Sequence, residues 1–190
     1  MNVIPPLEIT DARLTSTTVV DVAPAAYNGA TTYALDATAS VAGTAGLLTV
    51  YKSLQASNTG HTPSSSPTWW VSIGDTYQVY SGAATYALAD RVLDSTNHLI
   101  YESLIAGNIG QALTNTAKWL LIGPSNAWAM FDLARNTATI VPLSLTAVIT
   151  PAVRVNSILL SGMVANAATI TVTSGGPTVY SQTYDLNARE

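Results

Sequence analysis

The chain has no cysteine among its 190 residues, and only 9% of them are charged. Without thiols there is no disulfide framework, no thiolate nucleophile and no cysteine-based zinc site, and redox usage marks no compartment. A charged fraction so far below the ~25% of ordinary soluble domains is itself a signal. Lys and Arg number 7 against 11 Asp and Glu, for a net charge of −4. Nucleic-acid binding needs clustered cations that displace counterions, whereas Arg13, Arg91, Arg135, Arg154 and Arg189 are scattered. No nucleic-acid partner is expected. Long apolar runs are missing too. Stretches such as "WLLIG" and "SILLSGMV" are broken by Gly or Ser, well short of the ~18 apolar residues of a membrane span. The opening "MNVIPPLEIT" has no basic stretch leading into a long apolar one, so neither a span nor a secretory signal is expected.

What is present is 48% hydrophobic residues, with much Ala, Thr, Ser and Val, a composition that favours strands and turns. The expected fold class is all-β. A surface with so few charges needs another source of colloidal stability. Either other subunits cover much of it, or Thr, Ser and Asn solvate it. The first reading predicts an assembly and is carried forward.

The strongest internal signal is a tandem repeat. "YNGATTYALD" at Tyr27 matches "YSGAATYALAD" at Tyr80. Tyr51, Ser53, Leu54, Asn58 and Gly60 then match Tyr101, Ser103, Leu104, Asn108 and Gly110, and Trp70 with Ile73–Gly74 matches Trp119 with Ile122–Gly123. Each unit reads as two or three short strands. "LLTVYKSLQA" and "HLIYESLIA" carry strand patterning, "SNTGHTPSSSP" and "GNIGQALTNTA" are loops, and "WWVSIG" and "WLLIG" are closing strands. Units of this size bury little core alone and must pack on something else.

Four segments follow. Residues 1–26 form an N-terminal arm or first strand; 27–79 and 80–132 are the two small aromatic β-modules; 133–190 is a further β-region. In the last, "TITVTS" and "TVYSQTY" flank "GGP" as a hairpin, while "SLTAVIT" and "VNSILLSGMV" offer further strands, enough for part of a β-sandwich or jelly-roll.

Catalytic constellations are thin. The histidines are His61, in a Pro/Ser-rich loop, and His98, and no G-x-S-x-G elbow accompanies them. Glycoside hydrolysis needs two carboxylates across a cleft. Asp36, Asp90, Asp94, Glu102 and Asp132 are the candidates, with Asp36 and Asp90 expected at one repeated turn-cap position. There is no D-x-D-x-D-G loop or H-E-x-x-H helix; a calcium site built from backbone carbonyls stays open. No cofactor, metal or catalytic residue is assigned. The aromatics carry more weight. Sugar-binding modules stack aromatic faces on pyranose rings beside Asn and Ser donors, but Tyr and Trp also serve as the core of small modules. Trp70 and Trp119 read as core. Trp69 faces Lys118 in the alignment and is the candidate for an exposed contact, with Tyr51, Asn58, Tyr101 and Asn108 beside it.

The order of aromatic, Tyr, second Tyr and closing Trp resembles the small chitin-binding type modules of carbohydrate-binding families five and twelve. Tyr27 and Tyr80 stand where that family usually has Trp, and Leu35-Asp36 and Ala89-Asp90 stand at its Gly-Asp turn. The run Asn126-Ala127-Trp128-Ala129-Met130-Phe131-Asp132, followed by the "VNSILLSGMV" region, resembles a family of tailed-bacteriophage virion proteins in which such modules precede a β-sandwich. That resemblance implies a non-enzymatic structural part of a phage tail, near the tip or baseplate, located in the virion and present in several copies. It implies other tail proteins as partners, contacted through "VIPPLEI" or "HTPSSSP" (His61 to Pro67). The alternative it leaves is a module binding cell-surface glycan for host attachment.

Overall fold

The computed structural model describes residues 6–134 and 136–187. Arg135, Arg189 and the first residues of "VIPPLEI" lie outside them. The fold is all-β: small antiparallel sheets joined by turns, with short 3-10 turns at Pro63–Ser65 and Ala129–Phe131 as its helical pieces among the described residues. It divides into one compact unit up to Ala152 and another from Val153 onward.

In the first unit, β1 (Leu14–Thr17) pairs antiparallel with a strand from far along the chain. Next, β2 (Thr38–Ala42), β3 (Leu47–Ser53) and β4 (Trp70–Tyr77) form one three-stranded sheet in the order β2-β3-β4. The second module repeats this with β5 (Arg91–Asp94), β6 (Leu99–Ser103) and β7 (Trp119–Pro124), in the order β5-β6-β7. The repeated Ile-Gly pair has a structural meaning. Register slips between Val50 and Tyr51 opposite β4, and between Ile100 and Tyr101 opposite β7. Ile73 and Ile122 are therefore bulge residues, and the glycine after each takes φ 135 and 152, a conformation a side chain would strain.

The modules meet along backbone. Arg91 N–H donates to Ala45 O at 2.9 Å and Leu93 N–H to Gln78 O at 2.8 Å. A side chain at Gly46 would run into the Arg91 carbonyl. Arg91 closes the junction, donating through Nε to Glu102 Oε2 at 2.9 Å and through Nη1 to the Tyr77 hydroxyl at 3.2 Å. Each module buries its own small core: Ala39, Val50 and Trp70 in the first, Tyr86, Val92 and Trp119 in the second.

The expected sandwich over 133–190 takes another form. β8 (Ala147–Ile149), from "SLTAVIT", pairs back with β1, so this part belongs to the first unit. The arm is thus a first strand. "VNSILLSGMV", broken by Ser161 and Gly162, forms no strand. The "GGP" hairpin does form, as β9 (Ala167–Thr173) and β10 (Thr178–Asp185). By register one face carries Ala168, Ile170, Val172, Tyr180 and Tyr184; the other is a Thr and Ser ladder, with Thr169 and Thr183 hydroxyls 2.8 Å apart. Every residue of β10 is exposed. The division into compact units falls at 152/153.

Candidate functional site

Each module is built on three aromatic rings. Tyr27 and Tyr33 stack with centroids 5.8 Å apart, and both set edges against Trp70 at 6.0 and 4.9 Å. Tyr80, Tyr86 and Trp119 repeat the arrangement at 6.1, 5.7 and 5.3 Å. Such edge-to-face contacts satisfy the ring quadrupoles, and hydrogen bonds lock them. Trp70 Nε1–H donates to His61 O at 2.7 Å, Trp119 Nε1–H to Gln111 O at 3.0 Å. The Tyr33 and Tyr86 hydroxyls accept from Asn28 and Ser81 N–H at 2.8 and 2.7 Å. Burial pushes the Tyr86 hydroxyl above its ordinary range, against the pull of its Ser81 backbone bond. Trp70 and Trp119 are core, as expected.

Asn58 and Asn108 do not lie on an open platform. Both are buried. Asn58 Nδ2 donates to Ser53 Oγ at 2.9 Å and to Trp69 O at 3.4 Å; Asn108 Nδ2 donates to Ser103 Oγ at 3.0 Å and to Lys118 O at 3.1 Å. Their backbones exchange hydrogen bonds with Tyr33 and Tyr86. The amides tie the loop after the middle strand to the closing strand, leaving no N–H for a ligand. Tyr101 is half-buried and packs against the second core. Tyr51, in the matching register position opposite Ala39 and Ser72, is half-buried too. Trp69 is half-buried like Tyr51 and Tyr101, and the His61 ring stacks on it at 3.9 Å.

The carboxylates serve locally. Asp36 pairs with Lys52 at 3.2 Å, Glu102 with Arg91, and Asp90 Oδ2 accepts from Ala87 N–H at 2.7 Å. Asp36 is structurally equivalent to Ala89, not to Asp90: both have φ near 65 (64 and 67), and their N–H groups donate to Ser53 O and Ser103 O. Asp132 accepts from Ala134 N–H and the Thr137 hydroxyl. Burial raises the Asp94 carboxyl, but hydrogen bonds from the Asn97 side chain and the Thr96 and Asn97 N–H groups outweigh it, so its pKa is lowered. Asp94 also borders an open groove of about 440 Å³ with Tyr80, Leu93 and Leu113. The Tyr80 hydroxyl in that groove is already engaged, donating to Gln111 O at 2.7 Å.

The motif from Asn126 to Asp132 is a brace. Asn126 mimics a strand neighbour, donating to Ile140 O and accepting from Ile140 N–H, each at 2.8 Å. Among the described residues no group of His, Asp and Glu is gathered to hold a metal ion, and no helix is long and apolar enough to cross a membrane. Sequence reasoning passed over one cluster, in which His98 lies between two aspartates that are distant in the chain. No protein-family model, curated protein or solved structure matches the chain.

Proposed function

We propose that the chain is a non-enzymatic structural component of a bacteriophage tail, near the tip or baseplate, present in several copies and joining tail proteins in the virion. One observation carries the reading toward assembly. Repeated polar and aromatic residues such as Asn58, Asn108, Trp70 and Trp119 are buried, while part of the apolar strand surface stays open. Leu120, Leu121 and Ile122 of β7 are all exposed, as is every residue of β10. A chain with 9% charge and open apolar strands is poorly soluble unless neighbours cover it. The phage setting rests on the sequence resemblance alone.

The test is the solution mass of the purified chain by light scattering, alone and with candidate tail proteins. A closed oligomer or a stable complex supports the reading. A monomer that ignores tail proteins overturns it. Glycan attachment is the second reading, favoured by one observation: Trp69 is half-exposed on a His61 stack. Binding on a glycan array that is lost in Trp69→Ala supports it, and an empty array removes it.

A further inference from the structure

His98 is the meeting point of three chain segments. It sits in the turn between β5 and β6 at φ 57, and its carbonyl accepts from Ser125 N–H at 2.7 Å. Its ring stacks on Trp128 with centroids 4.2 Å apart. Nδ1 lies 2.6 Å from Asp21 Oδ2, and Nε2 lies 2.9 Å from Asp11 Oδ1. Asp11 precedes β1 and Asp21 follows it, so both ends of the first-strand segment are held by one imidazole. The first module has no counterpart: its equivalent turn reads Thr44-Ala45-Gly46.

Both ring nitrogens face carboxylate oxygens, which are acceptors only. Imidazole donates from both nitrogens only when protonated. In the neutral ring one lone pair would oppose a carboxylate. Asp94, at the start of the same turn, is a further anion near the ring, and its carboxyl is lowered partly by His98. Trp128, from the segment behind the ring, is neutral. When protonated, the ring is a cation set among Asp11, Asp21 and Asp94. Asp21 and His98 are each only 17% exposed, so water screens their pair little; Asp11 is 73% exposed. Asp21 Oδ1 is buried with no partner of its own, which leaves the ring to neutralise that carboxylate.

We infer that the Asp11–His98–Asp21 cluster is a proton-operated latch that holds the N-terminal segment around β1 against the second module. The latched state needs the imidazolium, because only the protonated ring donates from both nitrogens, so loss of the ring proton opens the latch. Opening releases the Asp11 and Asp21 ends of the β1 segment from the second module.

The test is NMR on the full chain across the histidine titration, reading the His98 ring protons together with the amides of Leu14–Thr17. The expected result is one shared midpoint, with lower protection of the β1 amides, measured against their base-catalysed intrinsic exchange, on its alkaline side. Asp11→Asn removes one carboxylate at an exposed position. It should move the His98 titration to lower pH and carry the β1 response with it. His98→Gln should abolish the alkaline response of the β1 amides. Protection of the β1 amides that stays flat while His98 titrates overturns the latch, as does an unchanged His98 titration in Asp11→Asn. The outcome does not depend on whether the chain assembles with tail proteins.

Discussion

Replacing Asn108 by alanine removes the amide that joins three parts of the second module. The lost bonds are the 3.0 Å donation to Ser103 Oγ and the 3.1 Å donation to Lys118 O. Each buried bond of this kind is worth about 1 kcal/mol net. The partners are not wholly orphaned, since Ser103 Oγ still donates to Ile105 O and Lys118 O still accepts from Leu104 N–H. The vacated amide volume adds roughly 1 kcal/mol of cavity cost. The total is about 3 kcal/mol, a large share of the ~5–15 kcal/mol that holds a domain together. Urea unfolding followed by tryptophan fluorescence reads the loss as a lower midpoint. Asn58→Ala should lose a similar or slightly smaller amount, because its bond to Trp69 O is longer, at 3.4 Å. Asn108→Asp should cost more than alanine near neutral pH, because it buries an anion beside the Lys118 carbonyl. If either alanine variant unfolds within about 0.5 kcal/mol of the parent, the repeated asparagine is not a structural tie. It would then have to be explained by a ligand.

Gly46→Ala combines a φ of 77 with a Cβ that meets the Arg91 carbonyl. The junction between the modules must shift, at about 2–4 kcal/mol by the usual costs of positive φ and overpacking; the urea midpoint reads it, and a neutral result would mean that the two modules do not bear on each other there. Leu121→Lys changes a residue that is 52% exposed. Stability should stay within about 0.5 kcal/mol of the parent, while any oligomer seen by light scattering dissociates or weakens. A variant that assembles as before would clear β7 of a role in contacts.

The tandem modules are legible in the sequence because most of the repeated polar and aromatic residues serve the interior of their own module. Two tyrosines and a tryptophan make the ring cluster, a serine and an asparagine make the tie, and an Ile-Gly pair makes the bulge. Hairpin chemistry around "GGP" is legible for the same local reason. The role of Asn58 and Asn108 is not. Asparagine is polar and is expected at a surface, and only the structure places it where its amide replaces missing backbone partners. Pairings between distant segments leave no local trace. Neither the β1–β8 ladder nor the Asp11–His98–Asp21 cluster can be read from spacing, because His98 lies 77 and 87 residues from its two aspartates and the ladder joins opposite ends of the first unit. The missing strand at "VNSILLSGMV" shows the converse. Apolar residues there promise a strand, but without a partner edge nothing pairs their backbone.

Comparing the two modules position by position separates what folds them from what they offer to others. Where they agree, many side chains turn inward, as at Tyr33 and Tyr86, Ser53 and Ser103, and Trp70 and Trp119, although the repeated Leu54 and Leu104 stay exposed. Where they differ, the fold asks only for backbone. His61 and Gln111 each lend a carbonyl to the tryptophan indole, and Trp69 and Lys118 each lend a carbonyl to the asparagine amide. Lys52 and Glu102 even exchange sign, each finding an opposite charge within its own module. The outward faces are consequently unlike: an aromatic stack of His61 on Trp69 in the first module, Lys118 beside an apolar β7 in the second. Duplication for reading one sugar twice would repeat the exposed aromatic contact, and here Trp69 is replaced by Lys118 while the ring cluster and the asparagine tie repeat. Two unlike faces on one repeated frame suit a part that meets two different neighbours. The duplication therefore weighs toward assembly and against paired glycan sites.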